Sequence, residues 1–581
     1  MIDIFYNQVR NTPNKIAVRV RDTAISYYEL NRYSNRLSNF IKSLNMQNKV
    51  IGIWTEEPIT QFIAMIACLK MGIPFININR KAPLVYNVEV LQQLEVDTLL
   101  VDHCYNFGNS FDFITINVDQ ILKRNVSDSE VQADNMPLDI AYIVSTSGTT
   151  DKPKLVLKKL ISLERLCGQI RDTLPFLVGN TIYMTAPLSF AFGLDQSLAF
   201  LCLGTTICVH CEEKLFDFKL QYKYFQQNHV KTVFWAAPVV KLLSRQPHLF
   251  DGIPDSLDYI VTGGEPIFVS AAFLFELKNR NIKLVNNYGC TEIGTMFFSC
   301  WNFDILSITN LNPVPIGVPL PGFEAEILLD DSEKNTGQLV IIANDFYNEY
   351  KNDLISIRNK FKTDLYGRSC FYTGDIAKKV GQDYYIVGRD DNCVNIHGFR
   401  VEIEAVEMCV SEVLNGNECV VVPYKSEYDE IQLFCFYVGS QYNDQTIIDE
   451  MKKLIPYYMI PTKFFNVLDI PKLSNGKINR KNMGQFIVDY IESRQDKGNE
   501  STEKRILTLI SNMTKQNLAV NITECTFSDI GFDSLSIVDF LCAVEQQEGI
   551  LFDYNSVYAK SNTIGEFIDM VRAMKAKRRE E

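Results

Sequence analysis

Through its first 300 residues the chain alternates short apolar runs, "NKVIGIW" (48–54), "DTLLVD" (97–102), "DIAYIVS" (139–145) and "KTVFWAA" (231–237), with helix-period segments such as "YYELNRYSNRLSNFIKSL" (27–44). Parallel strands cannot be joined by a tight turn and need a crossover segment between them, so this alternation demands a parallel sheet with helices on its faces. A layered α/β fold is expected. From about residue 310, "GFEAEILL", "GQLVIIA" and "DYYIVGR" read instead as antiparallel strands with tight turns, a small β-barrel-like part. A compact α+β piece follows. The run "IESRQDKGNESTE" (491–503) is polar and reads as a linker. After it, "EKRILTLISNMTKQNL", "SLSIVDFLCAVEQQEG" and "TIGEFIDMVRAM" carry apolar residues three and four apart, which predicts a separate all-α bundle.

With 581 residues and 46% hydrophobic content, the chain can bury several cores. A net charge of −13 argues against a nucleic-acid surface, which needs clustered Lys and Arg. The N-terminus lacks a basic start followed by an apolar run, and no stretch reaches about 18 uninterrupted apolar residues, so neither secretion nor membrane insertion is expected. "FIAMIACLKMGIPFI" comes nearest and is interrupted by Lys70, which favours a buried helix leading into a strand. Fifteen scattered cysteines, an odd number, read as reduced thiols and a cytoplasmic location. The five histidines show no metal-ligand spacing.

The stretch "YIVSTSGTTDKPKLV" (142–156) places hydroxyls, one glycine and two lysines after an apolar strand. Backbone N–H groups and hydroxyls of such a loop can converge on one anion. It matches neither GxxxxGK[ST] nor GxGxxG, so the nucleotide-binding readings of those motifs do not apply.

Taken with "IVTGGEPI", "NNYGCTEIG", "YTGDIAKK", "VGRDDNCVNIHGFRVEIEAVE" and "SNGKINRK", in that order, the loop resembles the adenylate-forming enzymes, in particular adenylation domains of nonribosomal peptide synthetases and their acyl-CoA ligase relatives. The resemblance covers about residues 1–485 and implies an adenylation core over 1–388 and a mobile C-terminal subdomain over 389–485. It implies that Ser145, Thr146, Ser147, Gly148, Thr149, Thr150 and Lys154 wrap the β- and γ-phosphates of ATP. Asn287 and Tyr288 would bracket adenine, Thr291 would touch the α-phosphate, Glu292 would hold Mg²⁺, and Asp375 with Arg389 would grip the ribose. Lys477 would meet the substrate carboxylate and α-phosphate, a task suited to a long mobile cation. Asp391 occupies the hinge position, and after rotation Gly398 would leave room for a pantetheine arm while Arg400 steadies phosphate.

"FSDIGFDSLSIVDF" (527–540) resembles the attachment site of carrier proteins, with Ser534 carrying 4'-phosphopantetheine. This implies a linker over 486–502, a four-helix carrier bundle over 503–577, and a phosphopantetheinyl transferase as partner. The resemblance thus implies ATP-dependent activation of a carboxylic acid and its transfer as a thioester to the chain's own carrier, because a tether raises effective concentration. A separate condensation, tailoring or acyl-transfer enzyme is expected downstream. The rivals are a coenzyme A ligase with a docking module and a catalytically degenerate carrier scaffold.

The sequence departs from the family pattern in two places. Asp151 and Leu155 stand in the phosphate loop where glycine is usual. In "PLSFAFGLDQSLAF", Ala191 replaces the aspartate that meets an α-ammonium, while Asp195 lies one helical turn on. The acid is therefore expected to lack an α-amine, or else to carry a displaced amine that meets Asp195; a satisfied helix carboxylate is the third reading of that residue. Phe192, Trp235, Val261, Gly263, Thr295 and Met296 complete the expected pocket.

Overall fold

The computed structural model describes residues 1–44, 50–103, 113–131, 139–146, 153–210, 217–267, 269–301, 313–331, 336–346, 348–351, 360–389, 393–396, 399–414, 417–425, 431–440, 442–467 and 470; beyond these it describes 502–503, 506–507, 509–510, 523, 525–527, 529–530, 532, 537, 540–541, 544, 552 and 563–580. Contacts divide the chain into two compact units, the first running to Asp391 apart from short excursions and the second holding Asn392–Glu581.

In the first unit a nine-stranded sheet has the spatial order Val318–Pro319, Gly294–Trp301, Lys283–Cys290, Tyr259–Gly263, Thr232–Phe234, Thr181–Met184, Thr206–Val209, Ile16–Val20 and Thr23–Ser26. The six strands from Lys283–Cys290 to Ile16–Val20 are parallel, and antiparallel partners close both ends. A seven-stranded sheet carries Lys154–Lys159 beside Ile140–Thr146, followed by parallel strands. The alternation in the sequence is realised as these two sheets. The part expected to be barrel-like is instead, among the described residues, an open five-stranded antiparallel sheet that includes Ser369–Val380 and Asp383–Arg389, with no pairing that closes its end strands on each other.

Local signals account for the helices. Tyr27–Ser43 begins at a capping box in which the Ser26 hydroxyl accepts from Glu29 N–H and the Glu29 carboxylate accepts from Ser26 N–H. Pro58–Met71 starts with proline in its first turn and stops at Gly72, whose φ of +67 is left-handed. That helix is buried nearly all round and leads into the strand Phe75–Asn77, as expected for the "FIAMIACLKMGIPFI" stretch. Its Lys70 is buried too: the ammonium donates to Asn31 O, Asn31 Oδ1, Ser34 Oγ and Asn35 Oδ1 at 2.6–3.0 Å.

The second unit holds the hairpin Cys393–Ile396 with Phe399–Glu402, the helix Ile403–Val413, and a three-stranded sheet formed by Cys419–Lys425, Ile431–Val438 and Lys463–Val467. Near its end, Phe527, Phe532, Phe540 and Phe552 gather with Phe567 of the helix Ile564–Glu580. The remaining expected carrier helices fall largely outside the described residues.

Candidate active site

"NNYGCTEIG" folds as a hairpin in which Cys290 pairs with Gly294, leaving Thr291, Glu292 and Ile293 as its tip. Three-residue tips close through a left-handed residue, and Gly294 has φ +97. Gly289 answers a different need, since a Cβ there would lie 2.4 Å from Gly294 O.

Asp375 and Arg389 stand directly opposite one another on antiparallel strands. Arg389 Nη1 donates to Asp375 Oδ1 at 2.6 Å, and the Tyr288 hydroxyl donates to Asp375 Oδ2 at 2.5 Å. Burial, and then the Asp375 charge, push the Tyr288 phenol well above its ordinary value, so it remains a donor. Phe297 meets the Tyr288 ring edge-on, with centroids 5.6 Å apart. Next to it, Asn287 is 3% exposed, and its Nδ2 has no acceptor among the described residues. An unsatisfied buried donor costs about 1–3 kcal/mol, which a ligand acceptor would relieve.

Glu292 is buried; its Oε1 accepts from the Tyr350 hydroxyl at 2.6 Å and lies 3.9 Å from Lys360 Nζ. A cavity of about 190 Å³ opens beside it, lined by Val156, Phe346, Asn348 and Phe361 among others. A single buried carboxylate fits a Mg²⁺ ion that takes its other ligands from water and phosphate.

The phosphate-loop stretch is a hairpin as well, with Thr146 opposite Lys154 and Ser145 opposite Leu155. Ser145 and Thr146 are half-buried, and Ser145 hydrogen-bonds Tyr86, whose phenol burial pushes up to about 12. Lys154 is buried. Leu155, one of the two departures, is a core residue packed in the cluster of Trp54, Ile76 and Leu99. Ser147, Gly148, Thr149, Thr150 and Asp151 lie outside the described residues, as do Asp391, Gly398, Lys477 and Ser534. Arg400 sits in the strand Phe399–Glu402, paired with Asn395.

Of the expected acid pocket, Ala191, Phe192 and Thr295 are half-buried, whereas Trp235, Val261 and Met296 are wholly buried. Packing requires a glycine at 263: a Cβ there would lie 2.1 Å from Asn287 O on the neighbouring strand. Asp195 is 5% exposed and already satisfied, by Tyr142 and Lys158. Sequence reasoning missed these two residues and also Tyr350 and Lys360. Only the apolar context of "IAYIVST" and "KLVLKK" pointed to the first pair, and nothing in the sequence pointed to the second.

One cysteine pair, Cys208 and Cys211, has CxxC spacing. Cys208 is buried in the strand Thr206–Val209, burial pushing its thiol up to about 11, and Cys211 lies outside the described residues. Among the described residues no three His, Cys, Asp or Glu side chains gather as a metal site, and no helix is long and apolar enough to cross a membrane.

The family model of AMP-binding enzymes matches residues 5–350. Bacitracin synthase 1 of Bacillus licheniformis is 25% identical over 496 residues, covering 83% of this chain but 9% of its own length. Tyrocidine synthase 1 of Brevibacillus parabrevis is 24% identical over 494 residues, covering 82% of this chain and 44% of its own length. The chain thus spans less than half of either relative. Among solved structures, holo-PA1221, an NRPS protein containing adenylation and PCP domains, aligns with a TM-score of 0.75 at 19% identity, over 100% of this chain and 98% of that one. The o-succinylbenzoate CoA synthetase MenE of Bacillus subtilis aligns with a TM-score of 0.71 at 19% identity, over 83% and 98%. At these identities the likeness is one of fold.

Proposed function

Because this chain belongs to the AMP-binding enzyme family, we propose that it is an adenylate-forming acid–thiol ligase that loads a carboxylic acid onto a phosphopantetheine thiol at its own Ser534. In the first half-reaction a carboxylate oxygen of the acid attacks the α-phosphorus of ATP, and pyrophosphate leaves. In the second the pantetheine sulfur attacks the acyl carbon, its proton is released and AMP departs. The setting is nonribosomal peptide or related secondary-metabolite biosynthesis, with a phosphopantetheinyl transferase supplying the arm and a condensation, tailoring or acyl-transfer enzyme consuming the thioester.

One observation carries the reading: motif segments far apart in sequence meet where Tyr288 and Arg389 both hold the Asp375 carboxylate. Asp375 accepts from the ribose hydroxyls, Arg389 fixes that carboxylate, and the Asn287 amide, which has no acceptor among the described residues, offers a donor to adenine. Thr291 touches the α-phosphate from the hairpin tip. Glu292 holds Mg²⁺, which when bound neutralises phosphate charge. Ser145, Thr146 and Lys154, with residues 147–150, surround the terminal phosphates. Lys477 bridges carboxylate and α-phosphate, and the chain turns about Asp391 to bring Gly398 and Arg400 toward the pantetheine arm. The domains follow the boundaries 1–388, 389–485, 486–502 and 503–577. The full-length likeness to a protein with adenylation and PCP domains supports the carrier assignment.

The test is the intact mass of the phosphopantetheinylated chain after incubation with Mg²⁺, ATP and a broad pool of acids. A discrete acyl mass is expected, absent without ATP and absent in Ser534→Ala. Acyl-coenzyme A formation that persists undiminished in Ser534→Ala, with no acyl mass on the wild-type chain, would make the protein a coenzyme A ligase instead.

A further inference from the structure

Asp195 stands one turn beyond Ala191 on the helix Ala191–Cys202, buried where Ala191 and Phe192 of the expected acid pocket are half-buried. Both of its oxygens are engaged from within the protein. Lys158 Nζ lies 3.0 Å from Oδ2, and the two side chains are 2% and 8% exposed. The Tyr142 hydroxyl donates to Oδ1 at 2.6 Å. Gly294 closes over the pair, since a Cβ there would lie 3.6 Å from Asp195 Oδ2 and 3.7 Å from Lys158 Nζ. The cavity beside them, which Thr295 also lines, measures about 10 Å³. That is room for roughly one water.

We propose that Lys158 determines acid specificity: it supplies from inside the protein the cation that a substrate ammonium would otherwise bring to Asp195, so the pocket takes carboxylic acids that carry no amine. An incoming ammonium would find the carboxylate already neutralised and would face the Lys158 ammonium, a like charge in a place where little water screens it. A neutral chain or ring meets the half-buried Ala191, Phe192 and Thr295 without leaving an ion unpaired. The proposal rests on the adenylation reading and narrows its substrate class.

The test is ATP–pyrophosphate exchange by the full chain with acids of matched shape, 3-phenylpropanoate against phenylalanine and 4-methylpentanoate against leucine. The wild type is expected to exchange at least about tenfold faster with the amine-free member of whichever pair it accepts. Lys158→Met releases the Asp195 carboxylate, so the ratio should move at least about tenfold toward the amino acid; the double variant Lys158→Met with Asp195→Asn, which removes the freed charge, should return it. A wild-type preference for the amino acid overturns the proposal whether or not the variants fold. So does an unchanged ratio in a folded Lys158→Met, since a purely structural ion pair would alter stability and leave selectivity alone. Absence of exchange with any acid from a pool of cellular acids defeats the adenylation reading itself, and this proposal with it.

Discussion

At the scale of single residues, the site is built from groups whose hydrogen-bonding capacity is filled by protein on one side and left open on another. Asp375 is held by two donors, while Asn287 keeps a buried amide with no acceptor among the described residues. Truncating an unsatisfied donor removes a cost to the free protein, and it removes a ligand contact worth about 1 kcal/mol. Asn287→Ala is therefore expected to leave the thermal midpoint unchanged or raise it, while raising the KM for ATP roughly five- to tenfold. Thermal unfolding measured alongside exchange kinetics checks both halves; a large loss of stability would mean that the amide serves the fold. Much of this scale was legible, because Tyr288, Asp375 and Arg389 were named from sequence and meet in space. Lys158 was not. Alternation along "KLVLKK" says which residues share a face and is silent on which face turns inward, and its partner Asp195 comes from a helix 37 positions away.

At the scale of elements, the helix Pro58–Met71 shows how a polar residue is carried through a core. Lys70 donates to Asn31, Ser34 and Asn35, and its ammonium lies over the rings of Phe5 and Tyr6 at 5.6 and 5.3 Å. Burial pulls its pKa down from 10.5 to about 7. Between those values the unfolded chain binds this proton and the folded chain does not, so this group makes stability rise with pH from about 7 to about 10.5. Lys70→Met should flatten that rise and leave the asparagine acceptors unsatisfied, lowering stability by about 1–3 kcal/mol at neutral pH. Urea midpoints measured across that pH range decide it; an unaltered pH slope would count against a titrating Lys70. The helix was legible from its apolar run, yet its partners on Tyr27–Ser43 were not, since tertiary neighbours leave no periodic trace.

At the scale of the whole molecule, the proposed carrier shares a chain with the site that loads it. Loading within one chain does not depend on how many other chains are present. In a single-turnover experiment the half-time of thioester formation should therefore stay constant over a roughly hundredfold dilution of the protein. A half-time that lengthens in proportion to dilution would mean that chains load one another. The α/β layers and the antiparallel sheet were legible because strand and helix periods differ. How the strands order across two sheets was not, since order depends on crossovers that leave no mark on any one strand.

The contact between Gly263 and Asn287 sets a limit on redesign. With 2.1 Å between a would-be Cβ and a backbone oxygen, position 263 is closed to every side chain unless two core strands part. Libraries that randomise the proposed acid pocket evenly would spend that position on variants that do not fold. For the proposed acid pocket, diversity aimed at a new acid belongs at the half-buried Ala191, Phe192 and Thr295.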